Sequence, residues 1–366
     1  MPTVCRDFRL RPSTRQLPPD LSPGGDTILR MRFLLLLLAF LLWSCGSEKD
    51  RPQPKSEAAT AMPAEPEVTV ATTVAFTEGP AQGPDGLIYF TDVTNNRILR
   101  FDPRTKKHEV FRADSNRTNG LLFDSEGRLI ACESSDAERN NPRLTRTDMK
   151  TGRVDILAAG FEGKQFNGPN DVTVDSRGRL YFTDPVPDAA SQEPARPKNA
   201  TGIPAVYRVD ANGKIVRILA SPATEWPNGI VISPDDKTLY LIEAHKTEGG
   251  TRAIRAYDLS LEGTVSNMRV HYNFYPGRSA DGMAIDTQGN IYAAAGLHRR
   301  RGTHETLDTK CGVYVISPQG KLLRFVPIPE DTITNTAFGG PDMRTLYVTA
   351  GKTLFQMPTE VAGLNR

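Results

Sequence analysis

Six polar residues stand at the head of apolar stretches along this chain: Glu78, Asn119, Asn170, Asn228, Asp281 and Asn335, separated by 41, 51, 58, 53 and 54 positions. All six carry side-chain oxygens, and none is His or Cys. Oxygens of this kind, brought to one point, suit a hard cation, above all calcium, which takes six to eight such ligands in tolerant geometry. Magnesium is the stricter alternative, since it retains water and demands an octahedron. Asn and Asp also precede strands for a plainer reason, because they satisfy turn hydrogen bonds. Two carboxylates aimed at one axis, however, repel unless a cation or a proton intervenes.

The elements that would position these residues repeat. "FNGPNDVTVDSRGRLYFTDP" at 166–185 and "EWPNGIVISPDDKTLYLIEA" at 225–244 share Pro-Asn, an apolar run, a Gly/Pro/Asp turn and a second apolar run. Four further copies occur: "TEGPAQGPDGLIYFTDV", "TNGLLFDSEGRLIACES", "ADGMAIDTQGNIYAAAG" and "TNTAFGGPDMRTLYVTA". Each reads as a hairpin, and further strands follow most of them, as in "RILRFDP" and "HEVFRA". Four strands at a period near fifty residues are the signature of a propeller blade. The fold class is therefore all-β, a six-bladed β-propeller with a divalent metal expected in its central channel. The last unit is one strand short, and residues 67–75, "EVTVATTVA", could supply that strand and close the ring. In such a ring the innermost strands line the channel, so the six leading residues converge at one end.

Around this repeat the composition is ordinary: 38% hydrophobic, 24% charged and a formal net charge of +2. Nothing marks a nucleic-acid partner. Residues 1–30 read as an over-extended start. Residues 31–45 read as a lipoprotein-type signal peptide, with Arg30 and Arg32 before an eleven-residue apolar run from Phe33 to Trp43. That run is too short to cross a bilayer, which takes about 20 residues, but it fits a signal core. "LWSCG" resembles a lipobox, making Cys45 the expected lipidation site and the only link to a membrane. An ordinary secretory signal is the alternative. Both place the domain outside the cytoplasm, in the periplasm or cell envelope. Residues 46–66 are a Pro/Ala/Ser/Glu/Lys tether, and 67–366 the propeller, expected as a monomer. Cys132 and Cys311, in different repeats, are expected as free thiols.

The sequence resembles the gluconolactonase, regucalcin (senescence marker protein) and luciferin-regenerating enzyme family over about residues 70–356. The resemblance rests on "FTEGP" at Glu78, "GPNDV" at Asn170, "PNGI" at Asn228, "DGMAID" at Asp281 and the closing "NTAFGGPDMRTLYVT". It implies a divalent metal, calcium first with zinc, manganese or magnesium as alternatives, held by Glu78, Asn228 and Asp281. It makes Asn170 a further ligand or a substrate contact, and Asp281 the favoured general base. Asn119, Asn170 and Asn335 are then left to contact substrate. Animal members carry an Arg two residues before the Asn matching Asn170; here that position is Gly168, so substrate preference does not carry over.

The chemistry expected is hydrolysis of a small sugar lactone to its hydroxy acid, with metal polarisation of the carbonyl and Asp281 accepting a proton from water. A related phosphotriesterase-like hydrolase is a neighbouring possibility, and a non-enzymatic binding module with a structural metal is the other class. Long insertions between second and third strands fall on the same face as the six polar residues: 134–142, 186–204 (a candidate lid), 245–250 and 297–310. His245 and His298 lie on that face and are weak candidates for a catalytic pair. Arg299, Arg300 and Arg301 form a basic run, either attracting an anionic substrate or simply solvated. No Gly-x-Ser-x-Gly elbow is present.

Overall fold

A computed structural model describes residues 66–135, 139–187 and 197–366. The expected start, signal peptide, Cys45 and nearly all of the tether lie outside the described residues, as does the middle of the candidate lid, 188–196. Every regular element among the described residues is a strand. They form six four-stranded antiparallel sheets and one two-stranded ribbon at 160–165.

The inner strands of blades 1 to 6 are Thr77–Gln82, Thr118–Phe123, Val172–Val174, Pro227–Ile232, Ala280–Ile285 and Ile333–Gly339. They touch one another in cyclic order, sixth to first included. The outermost strand of blade 6 is Thr69–Thr73, pairing Thr69 with Gln356 and Val70 with Phe355. The closure expected for residues 67–75 is thus in place, and the ring is held by main-chain hydrogen bonds between its two ends.

Each blade interface has its own apolar cluster. Ile88, Phe90 and Phe101 pack against Tyr347 and Leu354 between blades 1 and 6, whereas the intervening Tyr89 faces Leu121 and Phe123 of blade 2. Leu180 and Phe182 face blade 2, and Tyr181 faces blade 4. Both faces of a blade are therefore dry, which is why its second strands read as unbroken apolar runs.

The inner strands are not regular. In blades 1, 2, 4 and 5 three residues on the inner strand oppose two on its partner, as in Pro227↔Glu243 followed by Ile230↔Leu241. In blade 6 two oppose one at Ile333 and Asn335. These one-residue bulges fall on the leading polar residue in blades 2, 4 and 5 and beside it in blades 1 and 6, and bulges of this kind re-aim nearby side chains. Beyond blade 6 the chain crosses the turn side of the channel. Leu364 N–H donates to Ile285 O, and Arg366 donates to Val174 O and Ser233 O and pairs with Asp236 at 2.7 Å.

Candidate active site

The leading residues form a closed ring because each blade's bulge leans on the next. Gly79, at φ +41°, lies so close to the Asn119 carbonyl that a Cβ would fall 2.2 Å from that oxygen. Gly120 N–H donates to Asn170 O at 2.7 Å. At Gly282 a Cβ would lie 2.0 Å from Asn335 Cγ. Only glycine permits such backbone approaches. Buried threonines of the second strands brace the ring: Thr91 Oγ1 donates to Asn119 O, Thr183 Oγ1 accepts from Asp171 N–H, and Thr349 Oγ1 accepts from Asn335 N–H.

Asp281 is the best-held side chain. Its Oδ1 accepts from Asn228 Nδ2 at 2.6 Å, and its Oδ2 accepts from the Arg278 guanidinium at 2.5 Å. Arg278 is itself buried and donates to Ile333 O at 2.8 Å and Gly296 O at 3.4 Å, bridging blades 5 and 6. Glu78 is buried at 6% exposure. Burial pushes its carboxyl well above the ordinary range, and the negative charges of Asp281 and Asp171 push it further. Asp171 lies just inside the ring, bonded to Val172 N–H, Ile230 N–H and the Asn335 amide, and burial raises it to about 7.

Glu78, Asn228 and Asp281 are therefore brought together, with Asn335 joined through Asp171. Asn335 Oδ1 also accepts from Thr336 N–H. Asn119 and Asn170 are half-buried, and their side chains make no hydrogen bond among the described residues. Their amides are available to a ligand. His245 and His298 are spent elsewhere, on Thr247 and on Ile328 O respectively. Neither ring is bonded to the ring residues. Cys132 and Cys311 are free and buried.

Two residues of the site escape sequence reasoning, although each leaves a trace. In blades 1, 2, 4 and 5 a glycine follows the leading residue; blade 3 has Asp171 there, and that break in the repeat marks it. Arg278 precedes Asp281 by three residues, where other blades carry no cation.

The donor set fits a hard divalent cation. Three carboxylates, Glu78, Asp171 and Asp281, influence one another electrostatically at the head of one channel, and Arg278 is the cation paired with Asp281. Turning over the Asn228 amide, whose N and O are nearly alike in shape, would present its oxygen beside Asp281. Among the described residues no group of three or more His, Cys, Asp or Glu has metal-holding geometry, so any such site leans on amide oxygens. The channel continues inward as a cavity of about 620 Å³. It runs from Gly79, Asp171 and Asn335 to Gly86, Gly127 and Arg366 on the turn side. That cavity lies beyond the ring, away from the insertion loops.

Comparison with known proteins agrees with this fold. The gluconolactonase of Zymomonas mobilis is 26% identical over 318 residues, covering 80% of this chain and 81% of that protein. The regucalcin of Xenopus laevis is 28% identical, covering 78% and 86%. The pentonolactonase XacC of Haloferax volcanii is 27% identical, covering 76% and 83%. Among solved structures, the gluconolactonase XC5397 of Xanthomonas campestris superposes with a TM-score of 0.67 at 26% identity, over 80% of this chain and 89% of that one. Residues 76–352 match the family described as SMP-30/Gluconolactonase/LRE-like region, and the chain belongs to that family.

Proposed function

We propose that this protein is a metal-dependent lactonase that opens a small sugar lactone to its hydroxy acid, acting outside the cytoplasm on a lipid tether at Cys45. The observation that carries the reading is the held carboxylate of Asp281, beside Glu78 and Asn228 in a six-membered polar ring. The lactonases among its relatives support the reaction class.

Glu78, Asn228 and Asp281 would hold the cation, with Asn170 as a further ligand or substrate contact. Calcium is the ion that best suits these oxygens. When bound, it supplies Lewis-acid polarisation of an ester carbonyl. Asp281 accepts the proton of the attacking water, and Arg278 and Asn228 fix its orientation. Asn119 and Asn170 offer free amides to the hydroxyls of a sugar. Asp171, below the ring, holds Asn335 in place. A lactone is an activated ester, so this modest apparatus suffices for it.

The test is acid release from glucono-1,5-lactone by residues 46–366, with chelator and with calcium restored. Turnover lost with chelator, regained with calcium and abolished by Asp281→Asn supports the proposal. A folded Asp281→Asn variant that changes only thermal stability in calcium overturns it in favour of a binding module with a structural metal.

A further inference from the structure

The insertion 297–310 of blade 5 is pinned at many points. Leu297 N–H donates to Thr309 O, His304 N–H to Lys246 O, and Thr306 N–H to Pro276 O, and Leu297 bridges to Lys310. His298 N–H donates to Asp331 and its ring bonds Ile328 O. A segment tied to three neighbouring elements presents its side chains in set directions. What it presents is Arg299, Arg300 and Arg301.

These arginines and Lys352 line an open cleft of about 520 Å³ together with Ala75, Glu330, Asp331, Thr332 and Gly351. The two acids there are already engaged. Glu330 accepts from Lys352 N–H and from the Thr353 hydroxyl. Asp331 accepts from His298 N–H and Thr332 N–H and stands 3.6 Å from Arg301. Arg301 also donates to Thr332 Oγ1. Arg299 and Arg300 have no hydrogen bond or ion pair among the described residues. Four cations against two committed acids leave a net positive cleft with unspent guanidinium donors. Guanidinium groups suit carboxylate and phosphate oxygens through paired hydrogen bonds.

The cleft adjoins the ring on the side of Glu78 and Asp281. Gly351 O, at its wall, accepts from Thr77 N–H, one residue before Glu78. Thr332, on its floor, precedes Ile333, whose carbonyl holds Arg278. Arg301 lies within the electrostatic reach of both Arg278 and Asp281. Across the ring, Gly168 bears no side chain, and a Cβ there would meet nothing closer than 3.6 Å. The cationic side of the mouth is that of blades 5 and 6.

We infer that the Arg299–Arg301 cleft is an anion subsite, and that the lactone this protein takes carries a carboxylate or phosphate remote from its ring carbonyl. The inference rests on the lactonase reading for the reaction, but the subsite can be measured by binding alone.

D-Glucono-1,4-lactone and D-glucaro-1,4-lactone share one ring and differ in carrying a hydroxymethyl or a carboxylate at the far carbon. The calcium-loaded protein should favour the carboxylate lactone in kcat/KM by about tenfold or more, the scale of one charge-assisted pair. That preference should shrink as salt rises from about 0.01 to 0.3 M. The Arg299→Gln/Arg300→Gln double variant should bring the ratio toward one, mainly through KM for the anionic lactone. A greater preference for 6-phospho-D-glucono-1,5-lactone over glucono-1,5-lactone would assign the subsite to phosphate rather than carboxylate. A ratio near one that ignores both salt and the arginines overturns the inference. If neither lactone opens, the lactonase reading falls, and calorimetric titration of D-glucaro-1,4-lactone into chelated protein decides the subsite. Heat that is lost in the double variant upholds it, and equal binding to both proteins overturns it.

Discussion

Blades 1 to 4 and blades 5 and 6 solve one structural problem differently. At the end of the second strand, opposite the start of the inner strand, blades 1, 2 and 4 carry Asp92, Glu133 and Glu243, paired with Thr77, Thr118 and Pro227. Asp184 ends the same strand in blade 3. All four are buried. Each clasps the segment leading into its inner strand. Asp92 accepts from Phe76 N–H, Glu133 from Asn116 Nδ2, Asp184 from Asn167 and Gly168 N–H, and Glu243 from Glu225 and Trp226 N–H. Blades 5 and 6 have Ala295 and Ala350 at this register. There Arg278 spans the gap, bonding carbonyls of both blades and the Asp281 carboxylate. One position is thus an acidic latch in four blades and neutral in two, and where the latch is missing Arg278 ties the two blades together instead. Equivalent positions in a repeat need not do equivalent work.

The sharpest way to break this comparison is to remove a latch. Glu243 also pairs with the buried Arg255 at 2.9 Å, whose other acid is Glu225 at 3.3 Å, so Glu243→Leu should cost about 3–5 kcal/mol by orphaning the Glu225 and Trp226 N–H groups and weakening a buried pair, read by chemical denaturation. Gly282→Ala tests the ring itself. Its Cβ would collide with Asn335, and about 1–3 kcal/mol should be lost through overpacking, together with turnover. Installing a latch where none exists sharpens the contrast: Ala295→Asp should compete with Asp281 for Arg278. Lactone turnover should fall while near-ultraviolet circular dichroism stays native; unchanged turnover would mean that Arg278 does not position Asp281.

The smallest effect is a pH slope. Asp92, Glu133 and Glu243 each have an arginine partner, at Arg97, Arg143 and Arg255. Asp184 has none among the described residues, and burial raises its carboxyl to about 7. Unfolded, it titrates near about 3.9. The folded state therefore binds more protons across this window, and this group's contribution to stability falls as pH rises from about 4 to 7. Asp184→Asn should flatten that part of a stability–pH curve, measured by thermal melts. An unaltered slope would show that Asp184 ionises normally in the fold.

Much of this was legible in the chain. Strand, turn and leading polar residue recur in register because each blade must bury two faces and expose one end, and those demands act on local sequence. All six leading residues could be picked out because the repeat aligns them, Glu78, Asn228 and Asp281 were singled out among them by the family resemblance, and strand closure by 67–75 followed from counting strands. The meaning of departures from the repeat was not legible. Asp171 replaces a glycine, Arg278 and the 297–310 insertion belong to one blade, and the chain after blade 6 crosses the channel without any repeat to announce it. Their roles depend on contacts between residues far apart in sequence, such as Arg278 with Ile333, Gly79 with Asn119 and Arg366 with Val174. Local propensity carries no information about such pairs. The sequence by itself determined six blades and an oxygen-rich axis, since both follow from periodicity and residue chemistry. Only the tertiary structure decided where charge accumulates around that axis, because that depends on which side chains the closed ring brings within reach of one another.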